Sequence, residues 1–407
     1  MSSVHLSNTA EDYLYKLCVE ISSRRVGSRG NREATDFFAE VMESNSFESE
    51  SPIFDCMDWR YREAHLTVGG ETFEAFPSPY SLGCQVQGEL VTVSTVAELE
   101  GVECRDKVLL LVGEITQEQL MPKNFTFYNP EHHKHIVRLL ETKAPLAIIS
   151  ATGRNPGLAG GLYPFPLIED GDFDIPSVYM KDVVGDRLVR YAGQAVTLVS
   201  EAERIPATGC NVIARRGGKE RKVVVCAHID AKIDTPGAID NGAGVVVLLL
   251  LAELLADYDG ELGVEIVALN GEDYYSAAGQ MHYLQTNQDT FDQIQIAINI
   301  DAVGYFEGKT AYSLYECPEG ITDVAHQAFA SYEDIREGEQ WYQSDHMIFV
   351  QAGKPAMAIT SDKFEWLSTY ITHTEKDIPE IVDGGRLVNA ALGLRALVKI
   401  LEGVNIW

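Results

Sequence analysis

VVVCAHIDAKIDTPGAIDNGAGVVVLLLLA, residues 223–252, decides the architecture of this chain. It opens on an apolar run, 223–227, too short for a helix and lacking the polar alternation of a half-exposed strand, so it reads as a strand buried on both faces. A Gly-containing loop follows, and from about 244 to 257 the sequence is that of a helix packed inside a core. The unit then recurs. Strand VEIVALN (264–270) precedes a helix from about 276 to 286, strand IAINI (296–300) a helix near 319–330, and strand AMAIT (356–360) a final helix. In that last helix Leu387, Ala391, Leu394, Val398 and Leu401 make one apolar stripe. Buried strands interleaved with helices predict an α/β fold, a mostly parallel mixed sheet with helices on both faces.

Upstream the texture changes. Between about 56 and 205, short β-rich runs such as ELVTVST (89–95) and KVLLLVG (107–113) are separated by Gly, Pro and Asp turns, and residues 153–176 form a long Gly/Pro-rich loop. This predicts a β-rich domain inserted into the first, giving segments 1–55, 56–205 and 206–407. Ahead of the insertion, Ala34, Phe37, Phe38, Val41 and Met42 share one helix face, and the turn cluster VGSRGN (26–31) marks where that helix begins. A chain of 407 residues exceeds what one core ordinarily organises, in keeping with two units.

A formal charge of −29 without a basic run argues against a nucleic-acid partner. The longest apolar stretch, 243–252, is too short to cross a bilayer, and the N-terminus lacks a basic-then-apolar leader, so no membrane association and a cytoplasmic location are expected. Seven scattered cysteines without a CxxC pair fit reduced thiols better than a disulfide framework.

In open α/β sheets ligand sites form beyond the carboxyl ends of the strands. There VVVCA is followed by His228-Ile229-Asp230, VEIVALN by Gly271-Glu272-Asp273 and IAINI by Asp301, while TPGAIDNGAG (235–244) presents Asp240 and Asn241 on a loop that opens a helix. One Asp at a strand end is ordinarily a cap or turn former. Convergence is what points to chemistry: His, Asp and Glu without a thiolate suit zinc or a similar divalent ion, and a carboxylate between two His-bearing sites can bridge two ions.

AHID, PGAIDNGAG, NGED, INIDAVG, SDHMIFVQAGKPA (344–356) and THTEKDIPE (372–380), in this order, resemble the two-zinc aminopeptidase family that includes aminopeptidase Y and glutamate carboxypeptidase; GSRGN and the helix after it match its N-terminal segment. The resemblance implies two zinc ions per chain, with His228 and Asp301 on one, Asp273 and His373 on the other, and Asp240 between them. It implies Glu272 as general base, Asp230 bonded to the free nitrogen of His228, and Asp345 and His346 lining the site. The expected substrate is a peptide and the expected activity that of a metallo-aminopeptidase.

Two positions depart from the family pattern. Asp273 stands where a Glu ligand is usual, and Thr372 where a Tyr often precedes the last His, leaving Tyr370, Tyr342 and Tyr274 as candidate oxyanion donors. The inserted region resembles a protease-associated domain through KVLLLVG, the helix after it and LAIIS (146–150). His132, His133 and His135 in EHHKHIVRLL read as an exposed polar helix start in preference to a separate metal site. Carboxypeptidase or dipeptidase action on the same fold, a receptor-like module without catalysis, and a one-metal acyl-transfer enzyme of the glutaminyl cyclase kind are the alternatives. The sequence leaves the oligomeric state open.

Overall fold

The computed structural model describes residues 3–21 and 23–403. The chain divides into one unit of Met1–Cys56, Thr208–Tyr274 and Ala278–Trp407, and a second of Met57–Ala207 with Tyr275–Ala277.

Eight strands form the sheet of the first unit: β1 (Glu48–Glu50), β2 (Val212–Arg216), β3 (Arg221–His228), β4 (Leu262–Leu269), β5 (Ile294–Ile300), β6 (Thr310–Tyr315), β7 (Ile335–Glu337) and β8 (Ala356–Ser361). Their order is β1-β2-β4-β3-β5-β8-β6-β7. The four central strands, β4, β3, β5 and β8, run parallel. Beside them β2 and β6 run antiparallel. The mixed α/β sheet expected from the sequence is therefore present, its parallel part being the four apolar runs.

Every residue of β4 and β5 is buried, as two covered faces require. On one face Val223, Val225, Ala227, Ile266 and Ile298 join helices Ala243–Leu254 and Gly384–Glu402 in the main core. The five stripe residues of the last helix are all buried, each contributing about 1.5–3 kcal/mol where Leu or Val leaves water. Helix Arg29–Ser44 begins where VGSRGN indicated, with Ser28 Oγ accepting the Asn31 N–H. On the opposite face helix Ala278–Asn287 meets the sheet through Tyr283, whose hydroxyl donates to Glu265 at 2.8 Å. That helix starts at Ala278, two residues later than the sequence suggested.

The second unit holds a closed barrel whose seven strands run in the order Ile53–Val68, Glu71–Pro77, Ser177–Lys181, Ala147–Thr152, Val108–Leu111, Cys84–Val93 and Ala195–Cys210. Leu66, Phe73, Leu90, Leu110, Ile149, Val178 and Leu198 fill its interior. Ile136, Val137 and Leu140 of helix Glu131–Lys143 pack with Leu109, Leu111 and Ile148 in a separate cluster. No helix among the described residues is long and apolar enough to cross a membrane. All seven cysteines are free thiols.

Candidate active site

Paired parallel strands in register bring their carboxyl ends to one level. His228 closes β3 opposite Leu269 at the end of β4, and Asp301 follows β5. Asp273 lies in the turn after β4, and Asp240 lies on the loop before helix Ala243–Leu254, joined to Asn241 by a cis peptide bond. Asn241 stitches that loop to the sheet: its Nδ2 donates to Ile300 O at 2.8 Å and its Oδ1 accepts the Gly244 N–H at 3.0 Å. A Cβ at Gly244 would lie 2.2 Å from that Oδ1, so only glycine admits this approach. His373 comes three residues after helix Phe364–Tyr370, at φ 60°, a left-handed conformation uncommon outside glycine.

The structure gathers all five predicted ligands into two groups that share Asp240. In the first, His228 Nε2 lies 3.1 Å from Asp240 Oδ1 and 3.7 Å from Asp301 Oδ1. In the second, His373 Nε2 lies 3.1 Å from Asp240 Oδ2 and 3.0 Å from Asp273 Oδ1. The shorter Asp side chain at 273 thus still reaches the cluster.

Asp230 is placed differently from the expectation. Its carboxylate stands 3.8 Å from His228 Nδ1, and that nitrogen faces the Asp230 carbonyl oxygen at 3.2 Å instead. The carboxylate accepts the main-chain N–H groups of the next turn: Gly271 at 2.6 Å and Glu272 at 3.3 Å on Oδ1, Asp273 at 3.0 Å on Oδ2. Asp230 therefore orients the turn carrying Glu272 and Asp273 with three charge-assisted bonds. The physical reason is that β3 ends at His228, so alternation no longer sets the direction of the residue two positions on.

A second support escaped the sequence reading. Asn31 and Asn270 exchange amide hydrogen bonds, each of 2.9 Å, and Asn211 Oδ1 accepts the Asn270 N–H at 3.0 Å. The GSRGN segment thereby grips the end of β4 just ahead of Glu272. Two residues 239 positions apart leave no local signal of such a pair.

Burial alone would push the His228 and His373 imidazoles down, but the facing carboxylates Asp240, Asp301 and Asp273 raise both well above the ordinary 6.5. Burial would raise Asp240 too, yet its bonds to the two imidazoles hold it far below the usual carboxylate range. Glu272 is pushed well up by burial and by the negative charges of Asp273, Asp301 and Asp345. Asp345 is buried and pushed up to about 7, chiefly by desolvation, while Gln280 Nε2 donates to it at 3.2 Å. His346, fully buried, bonds Trp341 O at 2.9 Å, and burial pushes it down to about 4. Of the candidate oxyanion donors, Tyr274 is buried whereas Tyr342 and Tyr370 are exposed.

These residues fit divalent ions. Several carboxylates crowded into a largely buried cluster repel one another, and His228 Nε2 is sequestered from water with no well-aligned hydrogen bond. Cations between the two imidazoles and three carboxylates would relieve both, and the absence of thiolate suits zinc.

Glu118, His132 and His133 form a third grouping in the second unit. His132 is exposed as expected, but His133 is buried, and Glu118 Oε1 lies 3.2 Å from the Nε2 of each. His133 Nδ1 accepts the Met121 N–H at 3.1 Å. Its proton therefore sits on Nε2, which then has no lone pair for a metal.

A parallel-centred α/β sheet thus carries, at its carboxyl edge, His and carboxylate donors able to hold divalent ions. Residues 211–398 match the model of peptidase family M28. The chain is 24% identical over 295 residues to the protein of Mycobacterium tuberculosis named "Probable lipoprotein aminopeptidase LpqL", a match covering 70% of this chain but 56% of that one. It thus spans little more than half the length of that relative. Among solved structures, the Bacillus subtilis zinc aminopeptidase BSAP superimposes with a TM-score of 0.75 at 18% identity, over 97% of this chain and 94% of that one. An aminopeptidase from Aneurinibacillus gives 0.71 at 21% identity, over 98% and 95%. These likenesses show the fold.

Proposed function

We propose that the chain is a zinc-dependent exopeptidase, an aminopeptidase that removes N-terminal residues from peptides with two metal ions and Glu272 as general base. The observation that carries the reading is the double role of Asp240, whose two oxygens each lie 3.1 Å from a different imidazole. His228, Asp240 and Asp301 would hold one ion, and Asp240, Asp273 and His373 the other. Bound ions of this kind polarise a scissile carbonyl and lower the pKa of water. Glu272, on the turn that Asp230 secures, would take the proton of the attacking water and return it to the leaving amine. The free-amine preference rests on the names of the relatives, and the barrel of residues 57–207 would serve as a protease-associated domain.

Aminoacyl peptides and their N-acetylated counterparts distinguish the branches. Cleavage confined to the free-amine series is expected. Rapid release of a C-terminal residue from blocked peptides would move the chain to carboxypeptidase action, and cleavage restricted to dipeptides would make it a dipeptidase.

A further inference from the structure

The loop that carries Asp240 cannot hold itself. Asp240 and Asn241 have non-helical backbone angles (φ −122°, ψ 86° and φ −136°, ψ 39°), so the segment lacks the regular bonds of the helix that follows. Two buried ionic side chains outside the ligand set take up its main chain. Arg24, 2% exposed, reaches into it from far upstream. Its Nε donates to Ile229 O at 3.0 Å, Nη1 to Pro236 O at 2.9 Å and to Leu17 O at 2.7 Å, and Nη2 to Gly237 O at 2.7 Å. Asp377, wholly buried, takes the three successive N–H groups that follow. Its carbonyl oxygen accepts from Ala238 at 3.2 Å, Oδ1 from Ile239 at 2.6 Å and Oδ2 from Asp240 itself at 3.0 Å.

Asp377 is four residues beyond His373, in the same turn, where its own N–H donates to Thr374 O at 3.2 Å. One short segment therefore carries His373 at one end and the anchor of Asp240 at the other. We propose that Asp377, seconded by Arg24, is a positioning residue that fixes the spacing of Asp240 and His373, so that the shared carboxylate is aimed before any ion binds. The proposal rests on the two-ion reading above. Asp377 does for the Asp240 loop what Asp230 does for the Glu272–Asp273 turn: one buried carboxylate gathers consecutive amides and presents the working side chains beside them.

The test is Asp377→Asn, nearly isosteric but with an NH2 group facing one of the two donors, loaded with cobalt(II) and assayed beside Asp240→Asn. Ion affinity is expected to fall about 10- to 100-fold, the usual cost of losing a support behind a ligand, with an altered cobalt absorption spectrum, a lower kcat and a nearly unchanged KM. A purely structural residue would lower thermal stability and leave affinity, spectrum and kcat at wild-type values, which would overturn the proposal. If Asp240→Asn itself retains both ions and full turnover, the shared role of Asp240 in the two-ion reading falls; if it loses them while Asp377→Asn matches wild type, only the positioning role falls. Should Asp377→Asn fail to fold, amide exchange in the metal-free wild type decides. Protection of residues 238–240 comparable to the central strands is expected, and exchange at the rate of an open loop would contradict a site aimed in advance.

Discussion

The two halves of the candidate site are built differently. His228 and Asp301 stand at the ends of neighbouring central strands, where the register of β3 on β5 fixes their separation, and the His228 side chain is fully buried. Asp273 and His373 ride on turns, and the His373 side chain is 38% exposed. Sheet geometry enforces the inner half, whereas buried carboxylates hold the outer half by its main-chain amides. The strand-borne ligands His228 and Asp301 should be the less sensitive to their neighbours, whereas the loop-borne ligands Asp240, Asp273 and His373 should respond to changes in residues that never touch an ion.

Glu272 and Asp273 give the largest contrast, because adjacent residues on one turn are assigned different work. Glu272→Gln should lower kcat roughly 10²- to 10⁴-fold with both ions retained and no rescue by zinc. Asp273→Asn should weaken one ion, with activity partly restored by excess zinc, since an amide is a poorer ligand for a divalent ion. Metal content and turnover measured on both variants check this. The reverse pattern would exchange the two roles.

His228→Ala and His373→Ala separate the halves themselves. Each should lose an ion, but removing the buried imidazole opens a cavity and strands Asp301, so His228→Ala should also cost about 2–4 kcal/mol of metal-free stability. His373→Ala, at a side chain 38% exposed, should cost clearly less in denaturant unfolding. Equal losses in the two variants would erase the distinction drawn between strand-borne and loop-borne ligands.

Asp230→Ala probes the outer half at a distance. Three amides of the 271–273 turn lose their acceptor, at about 1–3 kcal/mol for each group left buried and unpaired. Activity is expected to fall, with affinity for the His373-side ion dropping more than that of the inner one, as competitive metal titration would show.

The smallest effect is in pH. In the metal-free protein both imidazoles have raised pKa values, so their pairing with Asp240, Asp273 and Asp301 adds stability that is fully present below the ordinary 6.5 and is lost as pH rises through the folded values. Zinc binding must displace the same protons, so its affinity should weaken as pH falls. Opposite slopes for metal-free stability and zinc affinity, from unfolding and titration series across pH, are the expected signature.

What the sequence made legible follows the same division. The apolar runs of β3, β4, β5 and β8 and the polar residues that follow the first three were readable because burial on both faces leaves an unbroken signature. Strands β2 and β6, which lie just inside the short edge strands β1 and β7, were missed, as was the long strand Ile53–Val68, because each mixes polar and apolar residues. All five ligand positions came from the resemblance together with strand-end placement. The Asp230 partners, the Asn31–Asn270 pair, the Glu118 contact of His133 and the Asp377 clamp did not, since each joins segments distant in sequence through backbone groups or single side chains. Resemblance identified which residues gather, and only three-dimensional packing identified what holds them.

Zinc titration of the metal-free protein, followed by calorimetry and by hydrolysis of a free-amine peptide in the same samples, tests the shared role of Asp240 most directly. The expected result is two ions per chain, full activity only when both are bound, and loss of both high-affinity steps in Asp240→Asn. Saturation by one ion with complete activity, or two independent ions undisturbed in Asp240→Asn, would contradict a site built around one bridging carboxylate.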